Sequence, residues 1–583
     1  VDAFTDLNLA GTTTIDVLSA SGNATIGGTL GVTGAITGTL GTAAQPNITS
    51  VGTLTGLTVN GDVTFTGSSN NIVFDQSDDC LEFADNAKAK FGASDDLQIY
   101  HDGTNSFISD QGTNDLKVLA TDFQLKNAAD SEFMMTAVTD GAVTLFHNNA
   151  SKLATTSTGV DVTGTINGVG ILADTTNFTD SILISQNAST GTLSSASHNT
   201  GLGDSVFAAL TSGTQNTAMG RDVLISLTSG DHNTGVGSAA MESITTGSFN
   251  IGMGSSALGS TTTGEANTGI GYLALSSNTT ASNNTAVGKS ALATNTTGGR
   301  NVAIGEGALL SATTASFNTA VGALAADAIT TGENNTAIGL QSLTSATTSS
   351  NNTAVGFQSL LLTSTGANNT AVGSGALDAN TTADANTAVG KDALTDNTTG
   401  TNNVAVGENA LANNTTASNN TGLGQNALLT STTAANNVAV GHDAMRLTTT
   451  GADNVGVGVD ALRSNTEGTE NTAVGKSAMD ACTTGSFNVG MGINALGALT
   501  TASFNTGVGT GVMASLTSGN HNTAMGYTTL DSNTTGIQNV AIGNNSLTAN
   551  TTADNNTALG YNSLAANSTG AGDVAVGKDA LKA

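Results

Sequence analysis

The sequence predicts an all-β chain: an elongated homotrimeric fibre with a long shaft of β-solenoid or β-roll type. Three observations carry the prediction. A 17-residue unit repeats without a break from Asn199 to the C-terminus; one position of that unit is glycine in every copy; and large aromatic side chains are scarce. The 583 residues include 73 Gly and 16 Phe, with no Trp and a single proline, Pro46. A thick globular core needs bulky side chains, so the core expected here is thin and built from Val, Ile, Leu, Met and Ala. A hydrophobic content of 38% and the fixed register argue against disorder.

The repeat fixes most of the organisation. A motif Asn-Thr/Val/Ile-Ala/Gly-Val/Ile/Leu/Met-Gly begins at Asn199, Asn216 and Asn233 and recurs every 17 residues to Asn556 and Asp573. The span of 374 residues is 22 steps of 17, giving 23 copies with no insertion or deletion, the last incomplete. Asn386–Asn402, NTAVGKDALTDNTTGTN, is a representative unit. An unbroken period means that each unit stacks on the previous one in fixed geometry, one repeat per coil. Strand spacing then gives a rise of about 4.8 Å per coil and a shaft of roughly 110 Å.

Within the unit, recurrent Gly and Thr-Thr pairs oppose a helix. Two short strands joined by two turns fit 17 residues, with the glycine at position 5 in the first turn and Thr-Thr-Gly/Ala in the second. Positions 4 (Val389, Val406, Leu423) and 9 (Leu394, Leu411, Leu428) are the regular large apolar sites. Position 3 is always Ala or Gly, as at Ala371, Ala388 and Ala405. That small-residue stripe suits close approach of identical chains about an axis, which is the basis for expecting a homotrimer. Asn at position 1 is expected to form a ladder along the shaft. Gly at position 5 implies a positive φ or a close neighbour, while positions 6 and 7, such as Lys391 and Asp392, vary freely and read as exposed.

The rest of the chain divides into residues 1–67, a Gly/Thr-rich β-fibre segment; 68–165, a β-rich domain denser in charged residues and Phe than the rest of the chain; and 166–198, an adaptor into the array at 199–583. The alternation Leu97-Gln98-Ile99-Tyr100-His101 reads as a strand. Val1 is followed by no signal-like segment, which suits a processed or truncated product.

Charge and motifs exclude several functions. A net charge of −30 repels nucleic acid and anionic headgroups, so neither is an expected partner. No apolar run reaches the length of a membrane span. Cys80 and Cys482, 402 positions apart, fit neither a disulfide framework nor a zinc site. His101-Asp102 beside Asp95-Asp96 could suggest acid–base or metal chemistry, but a strand ending in an Asp-Gly turn at Asp102-Gly103 explains the same residues. The Gly-x-Gly strings open no helix. Sequons such as Asn397-Thr398-Thr399 follow from the repeat, and Phe249, Phe317, Phe487 and Phe504, at position 17, read as corner-packing residues rather than a sugar platform. No catalytic, cofactor or metal residue is assigned, and the chain is expected not to be an enzyme.

Gly41–Phe65 (GTAAQPNITSVGTLTGLTVNGDVTF), Ser94–Lys117 (SDDLQIYHDGTNSFISDQGTNDLK) and Asn177–Gly203 (NFTDSILISQNASTGTLSSASHNTGLG) resemble segments of tail fibres of marine bacteriophages, especially those infecting cyanobacteria. The resemblance implies a virion location, other tail proteins bound at the N-terminal end, and a host-surface receptor. The repeat also resembles the heads of trimeric autotransporter adhesins, whose shorter units build a left-handed parallel β-roll trimer. This implies the alternative of a bacterial extracellular filament or adhesin.

Overall fold

A computed structural model of the chain describes residues 56–166, 169–186 and 190–582. The β-segments expected before residue 56 lie outside the described residues. The chain divides into two compact units between Thr121 and Asp122, within the span read from sequence as one domain. All regular structure among the described residues is β.

The first unit holds two antiparallel three-stranded sheets. One joins β1 (Val63–Phe65), β2 (Ile72–Asp75) and β3 (Cys80–Phe83); the other joins β4 (Ala89–Phe91), β5 (Leu97–His101) and β6 (Ser106–Asp110). The strand expected at 97–101 is β5, and it ends in a loop at Asp102. Asp102 Oδ1 accepts the backbone N–H groups of Thr104 and Asn105 at 2.8 and 2.7 Å, the Asx geometry that lets a short side chain stand in for a turn carbonyl.

The second unit opens with a five-stranded antiparallel sheet: β7 (Asp122–Lys126), β8 (Phe133–Val138), β9 (Val143–His147), β10 (Ala150–Thr155) and β11 (Val160–Val162). Then β12 (Thr165–Ile166), β13 (Val169–Thr175) and β14 (Phe178–Ser185) pair antiparallel. β14 also pairs in parallel with β15 (Ala196–Ser197) and with β16 (Thr200–Leu202), so it is the template on which the array begins. From β16 to β38 (Val574–Val576) one three-residue strand recurs per repeat, each pairing in parallel with the next in a register offset by 17, as in Thr387↔Val404 and Ala388↔Ala405. The result is a β-solenoid with one repeat per coil.

The coil differs from the sequence expectation in its second half. Only positions 2–4 form a strand; positions 6–17 are turns and bends. The coil that starts at Asn403 shows why. Gly407 (φ +133), Asn409 (+58), Leu411 (+54) and Asn419 (+62) all have left-handed backbone, four such residues in one coil. These reversals leave no run long enough for a second strand, yet the backbone still bonds along the axis. The N–H groups of Gly407 and Asn409 donate to Val389 and Lys391 of the preceding coil at 2.8 and 3.0 Å. Those of Leu411 and Thr415 donate to Ala427 and Thr432 of the following coil at 2.9 and 3.1 Å. Nearly the whole circumference is tied to its neighbours, so a coil without a second strand leaves few orphaned amides.

Side-chain direction follows the pleat of the short strand. Positions 1 and 3 face inward and positions 2 and 4 outward. Ala371, Ala388 and Ala405 are therefore wholly buried inside their own coils. This overturns the sequence argument that position 3 is a contact stripe between chains: the small side chain is needed because the thin interior must also hold positions 8, 9 and 12. Position 4, read from the sequence with position 9 as a regular large apolar site, faces solvent. Leu394, Leu411 and Leu428 at position 9 are buried in left-handed conformation. That conformation costs roughly 1–2 kcal/mol per residue, and burying a leucine gains roughly 1.5–3 kcal/mol, so the leucine is held there by the core against its local preference.

The expected asparagine ladder is present. Asn216 donates both its backbone N–H and its Nδ2 to Oδ1 of Asn199, each at 3.0 Å, and its Nδ2 also donates to the carbonyl of Gly230 at 2.9 Å. The first bonds join successive coils; the last closes the coil on itself. The ladder continues to Asp573, whose N–H donates to Asn556 Oδ1 at 2.9 Å. Threonine at position 13 makes a second ladder: Thr398 donates from both N and Oγ1 to the carbonyl of Thr415, at 2.9 Å each.

Candidate interaction surface

The residues weighed for chemistry are engaged separately. His101 Nδ1 lies 2.9 Å from Asp85 Oδ1, Lys90 Nζ pairs with Asp95 at 2.6 Å, and Asp102 organises its own loop, whose donors hold its carboxyl below the usual range. Cys482 is buried, and burial pushes its thiol up to about 12. Among the described residues, two clusters could close on a cation: His442, Asp443 and Asp460, and Asp75, Asp78 and Glu82, with ligand atoms within 4.8 Å of one another. In the first, Arg446 and Arg463 already lie 3.7 and 3.9 Å from the two carboxylates. The second is half-buried to exposed.

Position 17 departs from expectation. Phe249, Phe317, Phe487 and Phe504 are exposed rather than packed into a corner. Phe487 stacks on Phe504 at 4.9 Å and 2°, and Phe504 on His521 at 4.9 Å and 6°. His232 and Phe249 stack at 4.8 Å, and the Arg300 guanidinium lies 5.4 Å above the Phe317 ring. The ring spacing equals the strand spacing, so a ladder of rings forms wherever aromatic residues fall in adjacent coils. Phe504, between two rings, has both faces covered, so within a ladder only the end rings keep a face on which a sugar could stack.

Exposed apolar side chains remain among the described residues. On the solenoid, position 4 is Val, Ile, Leu or Met in all 23 copies, and its side chain points outward. Val389 is 36% exposed, Leu423 45% and Met525 47%. Beside it, position 2 is Thr in 15 copies and Val or Ile in the other 8. Positions 1–5 contain no charged residue until Asp573, in a chain whose net charge is −30. The strand face is therefore a continuous uncharged stripe.

Apolar side chains are also exposed on the sheets that precede the solenoid, in each unit separately. Among the described residues from 56 to 169, Ala87 is the one buried apolar side chain. Phe65, Phe74, Phe91, Ile99 and Ile108 on β1–β6 are exposed, and so are Phe123, Leu125 and Leu145 on β7–β9. Tyr100, Phe107, Ile99 and Ile108 line an apolar groove of about 450 Å³ with Phe83. Sheets of three to five strands with so little buried apolar area are marginal alone.

Compared with protein-family models, curated proteins and solved structures, the chain matches none.

Proposed function

We propose that this chain is a structural component of a bacteriophage tail fibre: a homotrimeric rod, without enzymatic activity, that projects from the virion and supports host attachment. Its N-terminal end joins other tail proteins, and the fibre as a whole reaches a receptor on the host surface. The observation that carries the reading is the solenoid, 22 complete coils of one invariant length and a last, incomplete one. Function in globular proteins is concentrated on loops of varied length set on a scaffold. An array that admits no inserted residue in any coil supplies rigid length instead, roughly 110 Å at strand spacing. Assembly from identical chains is supported by the N-terminal sheets, which bury almost no apolar surface of their own.

The virion setting rests on the resemblance of Gly41–Phe65, Ser94–Lys117 and Asn177–Gly203 to phage fibre segments. The second reading, a bacterial surface filament or trimeric adhesin, is favoured by the Asn-Thr-Ala-Val-Gly repeat itself. Mass spectrometry of purified native particles separates the two. Peptides of this chain in virions support the fibre; peptides in a bacterial cell envelope and none in virions overturn it.

A further inference from the structure

The uncharged stripe has one property that decides what covers it: it never lapses. Positions 6, 7, 10, 11, 16 and 17 change freely between copies, whereas position 4 is large and apolar in all 23 although it contributes nothing to the coil's own core. A globular partner about 30 Å across would cover only about six coils at strand spacing and would leave the others free to vary. A partner that needs every coil must share the solenoid's axial repeat along its entire length. Another copy of this chain has that repeat by construction. The size also fits. The 23 side chains at position 4 flanked by those at position 2 reach the roughly 20–30 residues a side of a stable interface. Copies that each carry −30 can meet there because the charges lie elsewhere on the coil.

We infer that the solenoids of neighbouring copies pack strand face to strand face, parallel and in register, through positions 2 and 4. The inference rests on the homotrimeric reading above and places its contact on the outward columns. Val389 of one copy then meets Val389 of the others, and the axis of assembly runs along column 4.

The test uses the full chain in a Cys80→Ser background, since Cys482 is buried. Val389→Cys places one thiol on the stripe; Thr399→Cys places it at position 14, exposed and off the strand face. The expected result is a trimer in sedimentation, with rapid oxidative or short-bismaleimide cross-linking of the Val389→Cys chain and at least ten-fold less of the Thr399→Cys chain. When the Val389→Cys chain is co-assembled with a Val457→Cys chain, four coils or about 19 Å away, cross-links should join 389 to 389 and 457 to 457 but not 389 to 457. Val372→Thr, Val389→Thr and Val406→Thr together keep a β-branched residue on the strand, and should lower 389-region protection from hydrogen exchange in the assembly. A trimer that cross-links at 399 and not at 389, or that joins 389 to 457, overturns the inference and leaves the trimeric reading standing. A parent chain that sediments as a monomer overturns both.

Discussion

Asn414 donates its Nδ2 to Oδ1 of Asn397 at 2.8 Å, whereas its own Oδ1 is buried without a donor, because Ser431 follows at that position in the next coil. Both residues belong to position 12, an interior column that switches between apolar and polar runs. Asn380, Asn397 and Asn414 form one run, headed by Thr363, whose Oγ1 accepts from Asn380 Nδ2 at 3.2 Å. In this run the amides donate toward the preceding coil, so its last carbonyl is left without a donor. Asn295 shows the same thing, with Ala312 next.

Interrupting a run should therefore cost more than shortening it. Asn397→Ala leaves Asn380 Oδ1 without its donor while Asn414 Oδ1 stays orphaned, adding one unsatisfied carbonyl. Asn295→Ala only transfers the orphan to Asn278. The expected difference is about 1–3 kcal/mol, the penalty of one unpaired buried group. Native-state hydrogen exchange of the flanking coils measures it, and equal losses would show that the ladder bonds carry no such directionality.

Gly407→Val should damage its own coil and the next. Gly407 has φ +133, and a Cβ built on it would stand 2.5 Å from the carbonyl oxygen of Gly424. Both reasons for glycine anticipated from the repeat are thus present at one residue. Backbone strain alone costs on the order of 1–3 kcal/mol. Because each coil contacts only its neighbours, protection should fall near 407–424 and remain at Asn199–Asn250. Loss of protection throughout would mean that the array unfolds as one cooperative block.

The features readable in the sequence were those fixed by invariance: the one-repeat coil, the position-1 ladder at Asn216 and its successors, and Gly407. Invariance shows that a residue matters but not which way it points. Ala388 and Val389 are adjacent and both constant in type, and only the pleat of a three-residue strand sends one inward and the other outward; a strand so short carries little alternation to read. Leu394 was legible as core but not as left-handed, since leucine has no preference for that backbone and is held there by packing. Thr398 was taken for a turn residue because Thr-Thr is ordinary turn chemistry, and its axial bond to Thr415 leaves no separate mark. The exposed stack of Phe487 on Phe504 was hidden for the opposite reason: spacing by one coil was visible, but exposure was not.

Stability of the solenoid should rise on mild acidification. Asp327, Asp378, Asp480 and Asp531, all at position 10, are partly buried, and burial raises each carboxyl above its ordinary value of 3.8. Asp378 is raised further by Asp396 and Asp392. A carboxyl whose folded pKa exceeds its unfolded one binds more protons when folded. Its penalty is full at neutral pH and shrinks as the pH falls through the raised value, until the unfolded carboxyl is protonated too, below 3.8. Glu306 opposes this, since Lys289 lowers its pKa, but the pair is exposed and contributes little. The thermal midpoint should therefore be higher at pH 5 than at pH 7. Asp378→Asn should stabilise at pH 7 by about half a kcal/mol or less and reduce the pH dependence. A midpoint that falls steadily from pH 7 to 5 would contradict this.

Position 9 offers the sharpest test of the coil geometry, because there glycine and alanine should exchange their usual order. Leu394 is wholly buried with φ +54. Leu394→Ala removes most of the side chain and should cost about 2–5 kcal/mol as lost burial and cavity. Leu394→Gly removes one carbon more, and in ordinary strand or helix it would be worse than alanine by roughly 0.5–1 kcal/mol. Here the residue is left-handed, where alanine retains the steric penalty of a Cβ, roughly 1–2 kcal/mol, and glycine has none. The two effects nearly cancel or favour glycine, so Leu394→Gly should be at least as stable as Leu394→Ala. Ala393 is the control: it is equally buried and is not left-handed, so Ala393→Gly should destabilise by about 0.5–1 kcal/mol in the usual direction. Denaturant unfolding of the three variants beside the parent decides it. If Leu394→Gly proves less stable than Leu394→Ala by a full kcal/mol, position 9 is not left-handed in solution and the turn-rich half of the coil must take another path.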